Sequence, residues 1–203
     1  MPTVFLLDDD PSVRRALTRL IRSAGYQVEP FGSAREFLDS DWRGQGVACL
    51  VLDVYMPGLS GMELQRELQA ANAILPIIFI TGRGDIPMSV QAMKAGAVDF
   101  LPKPVKDSEL LRAVEQALGR AFREDARNAE IQAIQRRLET LTPREREVMA
   151  RVVTGMMNKQ VAHELGTVEK TIKVHRSRVM EKMGVESLAE LVRLAERVGI
   201  GKR

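Results

Sequence analysis

The chain has 203 residues, 45% apolar and 28% charged, with a formal net charge of +3, a length that suits two modest domains. Arg, Asp, Gly or Pro interrupts every apolar run before it could cross a bilayer, and a single cysteine rules out an internal disulfide or a cysteine-based zinc site. The charge is unevenly spread: residues 1–118 carry 12 Lys/Arg against 15 Asp/Glu, and residues 119–203 carry 18 against 12. An acidic half suited to a cation precedes a basic half suited to a polyanion.

The start, MPTVFLLDDD, has no basic n-region and enters an apolar run at once, so no secretory signal is read there. Five strand-like runs, at residues 4–8, 26–31, 48–53, 77–81 and 98–101, read as parallel strands. Helical stretches are expected at 11–24, 33–40, 61–70, 86–95 and 107–118. Pro11 suits a first helical turn, and Ser33 and Asp107 can cap their helices. Cys49, inside ACLVLD, reads as a buried strand thiol and fits a reducing cytoplasm. Five βα units with short connections predict a doubly wound α/β domain of about 120 residues.

Strand character ends at Leu101. Residues 121–139 read as a helical linker between a first domain at 1–120 and an all-helical domain at 140–203. Ile131, Ile134, Leu138 and Leu141 repeat at 3, 4 and 3, which leaves two readings open: a short coiled-coil seam, or a face packed on its own chain. Thr142, Pro143 and Glu145 make a capping box with Pro at the first helical position. A helix near 158–165, a turn at Gly166 and a long helix near 169–183 form a helix-turn-helix.

Chemistry-bearing residues stand just past the apolar runs: Asp8 and Asp9, Asp53, Thr81 and Lys103. In an open parallel sheet the carboxyl ends of the strands line one crevice, so these distant residues meet. Crowded carboxylates call for a cation, and all-oxygen ligation suits Mg²⁺, or a similar divalent ion such as Mn²⁺. Asp8, Asp9, Asp53 and the Tyr55 backbone carbonyl are the expected ligands. Asp53 opens the rigid loop DVYMPGLSG and suits a nucleophile. Lys103 would neutralise phosphate charge, and Thr81 would donate its hydroxyl to a phosphate oxygen. Whether Lys103–Pro104 is cis stays open.

In the second half, Ile172, Val179 and Met183 form an apolar stripe on a helix that also carries Lys170, Lys173, Arg176, Arg178 and Lys182. Such a helix fits a DNA major groove. His163 has no ligand cluster around it, and His175 reads as packed or as touching a phosphate.

Together the acidic pair, DVYMPGLSG, ITGRGD and KAGAVDFLPKP resemble the receiver domain of two-component response regulators. LTPREREV, NKQVAHELG and KTIKVHRSRVMEKMG resemble a LuxR-type helix-turn-helix, so the whole chain resembles the FixJ/NarL family. The resemblance implies a flavodoxin-like five-stranded receiver and phosphorylation of Asp53 by a histidine kinase. It implies a switch made of Thr81 and Phe100, where Phe100 replaces the commoner tyrosine. Tyr55 and Arg83 occupy the positions that tune access of water to the phosphoryl group. Lys173, Val174 and Ser177 are expected at base edges, and Lys170, Thr171, Arg176 and Arg178 at phosphates. It further implies promoter double-stranded DNA as partner, and a homodimer through the helix at 86–95 and the strand at 98–101. RNA polymerase is a further candidate partner, the location is cytoplasmic, and no membrane is involved. The chain is not expected to be an enzyme beyond slow self-dephosphorylation. Thr167 and Val168 depart from the family's usual hydrophobic-then-Ser pattern, so the cap of the basic helix either shifts to Thr167 or is lost.

Two rivals remain at this level. In an aspartyl-phosphate phosphohydrolase, Asp8 and Asp10 would supply nucleophile and acid/base, but no later acidic pair follows Lys103. In the other rival, the helical half binds protein instead of DNA.

Overall fold

The computed structural model describes residues 1–44, 46–82 and 86–201. Five strands, β1 (Thr3–Leu7), β2 (Gln27–Phe31), β3 (Ala48–Asp53), β4 (Ile77–Thr81) and β5 (Asp99–Pro102), form one sheet in the order β2-β1-β3-β4-β5. All pairings are parallel, with Leu7 opposite both Phe31 and Leu52, Asp53 opposite Ile80, and Thr81 opposite Pro102.

Alternation along the central strands β1, β3 and β4 explains why their sequences are apolar almost throughout. Phe5, Leu7, Leu50, Leu52 and Phe79 point to one face and pack with α2 (Ala34–Leu38), α3 (Gly61–Ala70) and Ala92 of α4 (Ile86–Lys94). Val4, Leu6, Cys49, Val51, Ile78 and Ile80 point to the other, against α1 (Pro11–Ser23) and the start of α5 (Asp107–Glu139). A sheet covered on both faces has no polar side to alternate with. Phe5, Phe31, Phe37 and Trp42 make an aromatic cluster on the first face, with Phe37 stacked on Trp42 at 5.3 Å. Cys49 is fully buried, and burial pushes its thiol up to about 12.

Two compact units divide the chain, Met1–Ala126 and Arg127–Arg203. The helix expected at 107–118 and the helical stretch after it are one continuous α5 of 33 residues. Gly119 lies inside it, since one glycine costs a helix only about 1 kcal/mol.

In the second unit α5 ends beside α6 (Pro143–Val152), α7 (Asn158–Glu164), α8 (Glu169–Met183) and α9 (Leu188–Arg197). Ile134 and Leu141 are buried with Val148, Val161, Ile172, Val179, Met183 and Leu191. Ile134, Leu138 and Leu141 of that spacing are thus packed on their own chain, as the second reading expects. The capping box forms as expected: Glu145 N–H donates to Thr142 Oγ1, and Thr142 N–H donates to Glu145 Oε2. Arg137 donates to the Met183 carbonyl at 2.9 Å, and Gly184 takes a left-handed φ of 63° to end α8. At the other end of α8 the cap is lost: Val168 holds the N-cap position without a side-chain hydrogen bond.

Candidate functional site

The parallel order places the carboxyl ends of β1, β3, β4 and β5 side by side. Asp8 follows the last residue of β1, Asp53 ends β3, Thr81 ends β4 and Lys103 follows β5. The crevice lies beside β1, where the strand order reverses.

Lys103 Nζ donates to Asp8 Oδ2 and to Asp53 Oδ2, each at 2.6 Å, joining residues 95 and 50 positions apart. Asp8 is fully buried, Asp53 is 5% exposed and Thr81 is fully buried, whereas Asp9 is exposed. Three backbone bonds fix the arrangement. Asp10 N–H donates to Asp8 Oδ1 at 2.9 Å, Tyr55 N–H donates to Asp53 Oδ1 at 3.1 Å, and Lys103 N–H donates to the Thr81 carbonyl at 2.7 Å. The Lys103–Pro104 bond is cis.

Burial raises the pKa of Asp8 above the usual carboxylate value, although hydrogen bonds from Lys103 and Asp10 oppose it. For Lys103 burial pulls downward, but the hydrogen bonds to Asp53 and Asp8 together outweigh it and the net shift is upward. Burial, more than repulsion from Asp53, is what makes a negative charge on Asp8 costly. One carboxylate oxygen each from Asp8, Asp9 and Asp53 lies within 4.8 Å of the others. An oxygen-only donor set that includes the buried Asp8 carboxylate fits a hard divalent cation. Above it opens a cleft of roughly 450 Å³ lined by Asp53, Tyr55, Gly82 and Lys103, with room for a phosphoryl group and water. Phe100 is half-buried, its ring 6.1 Å from that of Phe79. Arg83 lies outside the described residues.

One residue near the pocket, Gly61, escaped the sequence reading of roles. A Cβ on Gly61 would stand 2.4 Å from the Asp53 carbonyl oxygen, so only glycine lets α3 begin so close behind Asp53. Nothing in spacing marks this approach, though Gly61 belongs to the DVYMPGLSG loop. Asp10 is engaged elsewhere: its Oδ1 accepts from Ser12 N–H at 2.7 Å and Val13 N–H at 3.4 Å, capping α1. The Ser12 hydroxyl, which donates to the same oxygen at 2.6 Å, holds its pKa down together with these backbone bonds and gives its carboxylate a structural task, unlike the acid/base task of the phosphohydrolase reading.

In the second unit, α7 and α8 make the helix-turn-helix. Ile172, Val179 and Met183 face the core. Lys170, Lys173, Val174, Ser177 and Arg178 are exposed, and Thr171 is half-buried. Lys173 pairs with Glu169 on its own helix at 3.2 Å. Arg176 behaves differently. It is half-buried, and its Nη1 donates to Asn158 Oδ1 on α7 at 3.2 Å. Asn158 also escaped the sequence reading, because a contact across 18 residues leaves no periodic trace. His163 is exposed. His175 is half-buried, with Nδ1 enclosed and without a hydrogen-bond partner among the described residues.

Comparison with known proteins agrees with both halves. The family described as response regulator receiver domain matches residues 4–115, and the bacterial regulatory proteins of the luxR family match residues 139–195. Nodulation protein W of Bradyrhizobium diazoefficiens is 53% identical over 197 residues, covering 97% of this chain and 86% of that protein. The low-resolution structure of the response regulator StyR matches with a TM-score of 0.83 at 51% identity, covering 97% of this chain and 98% of that one. Full-length FixJ from B. japonicum gives a TM-score of 0.58 at 44% identity, covering 97% of each chain.

Proposed function

Because the chain belongs to the two-component response regulators that join a receiver domain to a LuxR-type DNA-binding domain, we propose that Asp53 is its phosphoryl acceptor and a histidine kinase its donor. The observation that carries this reading is the Lys103 ammonium held 2.6 Å from both Asp8 and Asp53. Asp53 lies at the mouth of the cleft, with one oxygen tied to Tyr55 N–H and the other to a movable cation.

Transfer places an Asp53 oxygen on phosphorus as the bond to the kinase imidazole nitrogen breaks, and the imidazole leaves with the electron pair. Lys103 then turns from the Asp53 carboxylate to a phosphoryl oxygen, a move its long stem allows. Thr81 donates its hydroxyl to a second oxygen, and Phe100 turns inward behind it. A cation, Mg²⁺ or Mn²⁺, held by Asp8, Asp9, Asp53 and the Tyr55 carbonyl, would neutralise charge on the phosphoryl group. The protein is a regulator and not an enzyme in its own right, with slow loss of phosphate as its only turnover.

On this reading residues 1–120 receive the signal, 121–139 link, and 140–203 bind promoter DNA. Lys173, Val174 and Ser177 approach base edges, and Lys170, Thr171, Arg176 and Arg178 hold phosphates. Ile86, Val90 and Met93 stand exposed along one side of α4, an apolar stripe suited to a homodimer contact with β5. RNA polymerase is the partner at the promoter. Among the described residues no helix is long and apolar enough to cross a membrane, and the proposed site of action is the cytoplasm.

The test is labelling by acetyl phosphate with Mg²⁺. Asp53→Asn is expected to abolish acid-labile phosphate, and excess chelator to block labelling of the wild type. Full labelling of the variant, mapped to Asp8, would favour a phosphohydrolase.

A further inference from the structure

We propose that Asn158 is a positioning residue for DNA binding: it holds the Arg176 guanidinium ready for a backbone phosphate, so that one phosphate clamp is built from both helices of the helix-turn-helix. The inference rests on the reading of α8 as the DNA-facing helix and goes beyond it by assigning a role to α7.

Three observations carry it. The basic residues around Arg176 on α8 are exposed, whereas Arg176 is half-buried and tied across 18 residues to the first residue of α7. The tie is to an amide oxygen, which accepts a hydrogen bond without cancelling the positive charge. Lys173, by contrast, is paired with the carboxylate of Glu169, a partner that opposes its attraction to DNA. Finally, the bond to Asn158 uses Nη1 and leaves further guanidinium N–H groups to meet a phosphate. An untethered arginine surrenders much rotamer freedom when it binds, and one already fixed surrenders less. Lys159, exposed beside Asn158, adds positive charge on the α7 side of the clamp.

The experiment titrates full-length protein with a random-sequence duplex across a salt series, with acetyl phosphate and Mg²⁺ present throughout. Random sequence suffices because phosphate contacts are indifferent to bases. Arg176→Ala is expected to weaken binding roughly tenfold and to flatten the salt slope by about one charge. Asn158→Ala is expected to weaken binding roughly threefold with an unchanged Tm. The double variant is expected to match Arg176→Ala alone, since Asn158 acts only through Arg176. The proposal is overturned if Asn158→Ala binds as wild type, if the two losses multiply in the double variant, or if lost binding merely follows a lowered Tm. These outcomes leave the DNA-facing reading of α8 standing. If Arg176→Ala keeps both wild-type affinity and slope, the clamp and the assignment of Arg176 to a phosphate fall together.

Discussion

The phosphate pocket and the DNA-facing helix represent opposite ways of building a site. In the pocket, groups from four strand ends converge, with the half-buried Lys103 bridging Asp8 and Asp53, and none of the principal residues are close in sequence except Asp8 and Asp9. On α8, the candidate contacts come from one stretch of helix, and most of them point into solvent. A convergent site depends on the whole sheet for its geometry, so small backbone errors spread through it. A periodic site depends on one helix being docked correctly, so its side chains can be exchanged almost independently. Substitutions in the first unit should therefore act through geometry, and those on α8 through single contacts.

Gly61→Ala tests the convergent side most severely. Its added methyl would meet the Asp53 carbonyl, and a destabilisation of about 3 kcal/mol is expected, measured by urea unfolding of the full chain. A loss below about 0.5 kcal/mol would show that α3 can retreat and that the pocket is not tightly backed.

Lys173→Ala and Arg178→Ala test the periodic side. The first is expected to relax sequence preference by roughly 1–3 kcal/mol at one base pair. The second should weaken target and scrambled duplexes alike and lower the salt slope by about one charge. Binding across a salt series separates them, and identical behaviour of the two variants would erase the distinction between base and phosphate contacts.

Lys182→Ala asks whether the docking of α8 relies on charge. Lys182 donates to Glu145 Oε2 at 2.7 Å and to the Thr140 carbonyl at 3.1 Å. Its hydrogen bond, with help from the Thr142 N–H, holds the Glu145 pKa below the ordinary carboxylate value. A lowered folded-state pKa means the ionised pair stabilises the unit above the unfolded carboxylate value. That contribution is lost as pH falls through the folded-state value. Because Lys182 is about one-third exposed, solvent screens the pair, and the variant should lose only about 1 kcal/mol at neutral pH. Its acid transition should also be shallower; an unchanged acid limb in thermal melts would remove the pair from the account.

The smallest effect is expected at Val168→Ser. The N-cap of α8 has extended backbone but no side-chain acceptor. A serine there should supply one and stabilise the second unit by about 0.5–1 kcal/mol. No gain in Tm would mean that the first turn of α8 is already satisfied by other means.

How much of this was legible in the sequence follows from the same contrast. The central strands and the pocket residues could be read because a sheet covered on both faces writes β1, β3 and β4 as apolar runs, and the reactive group follows at the strand end. The apolar stripe of α8 could be read from its 7 and 4 spacing. Four features left no such mark. Gly119 resembles a helix stop, yet α5 runs through it, because tertiary packing of Leu110, Val114, Ala117 and Leu118 outweighs one glycine. The packing of Ile134 and Leu141 on the chain's own core depends on where α6 and α8 lie, which spacing cannot tell. The Asn158–Arg176 bond and the approach of Gly61 to Asp53 are contacts between elements, visible only once those elements have positions.

Cys49 sits in the middle strand of the sheet, fully enclosed, with its thiol pushed up to about 12. Alkylation needs both a thiolate and a path to it, and the folded first unit supplies neither. The lone thiol is thereby a built-in clock: an alkylating reagent can mark it only when β3 separates from its neighbours. The speed of marking reports how often the scaffold beneath the aspartates opens, with no label to be engineered.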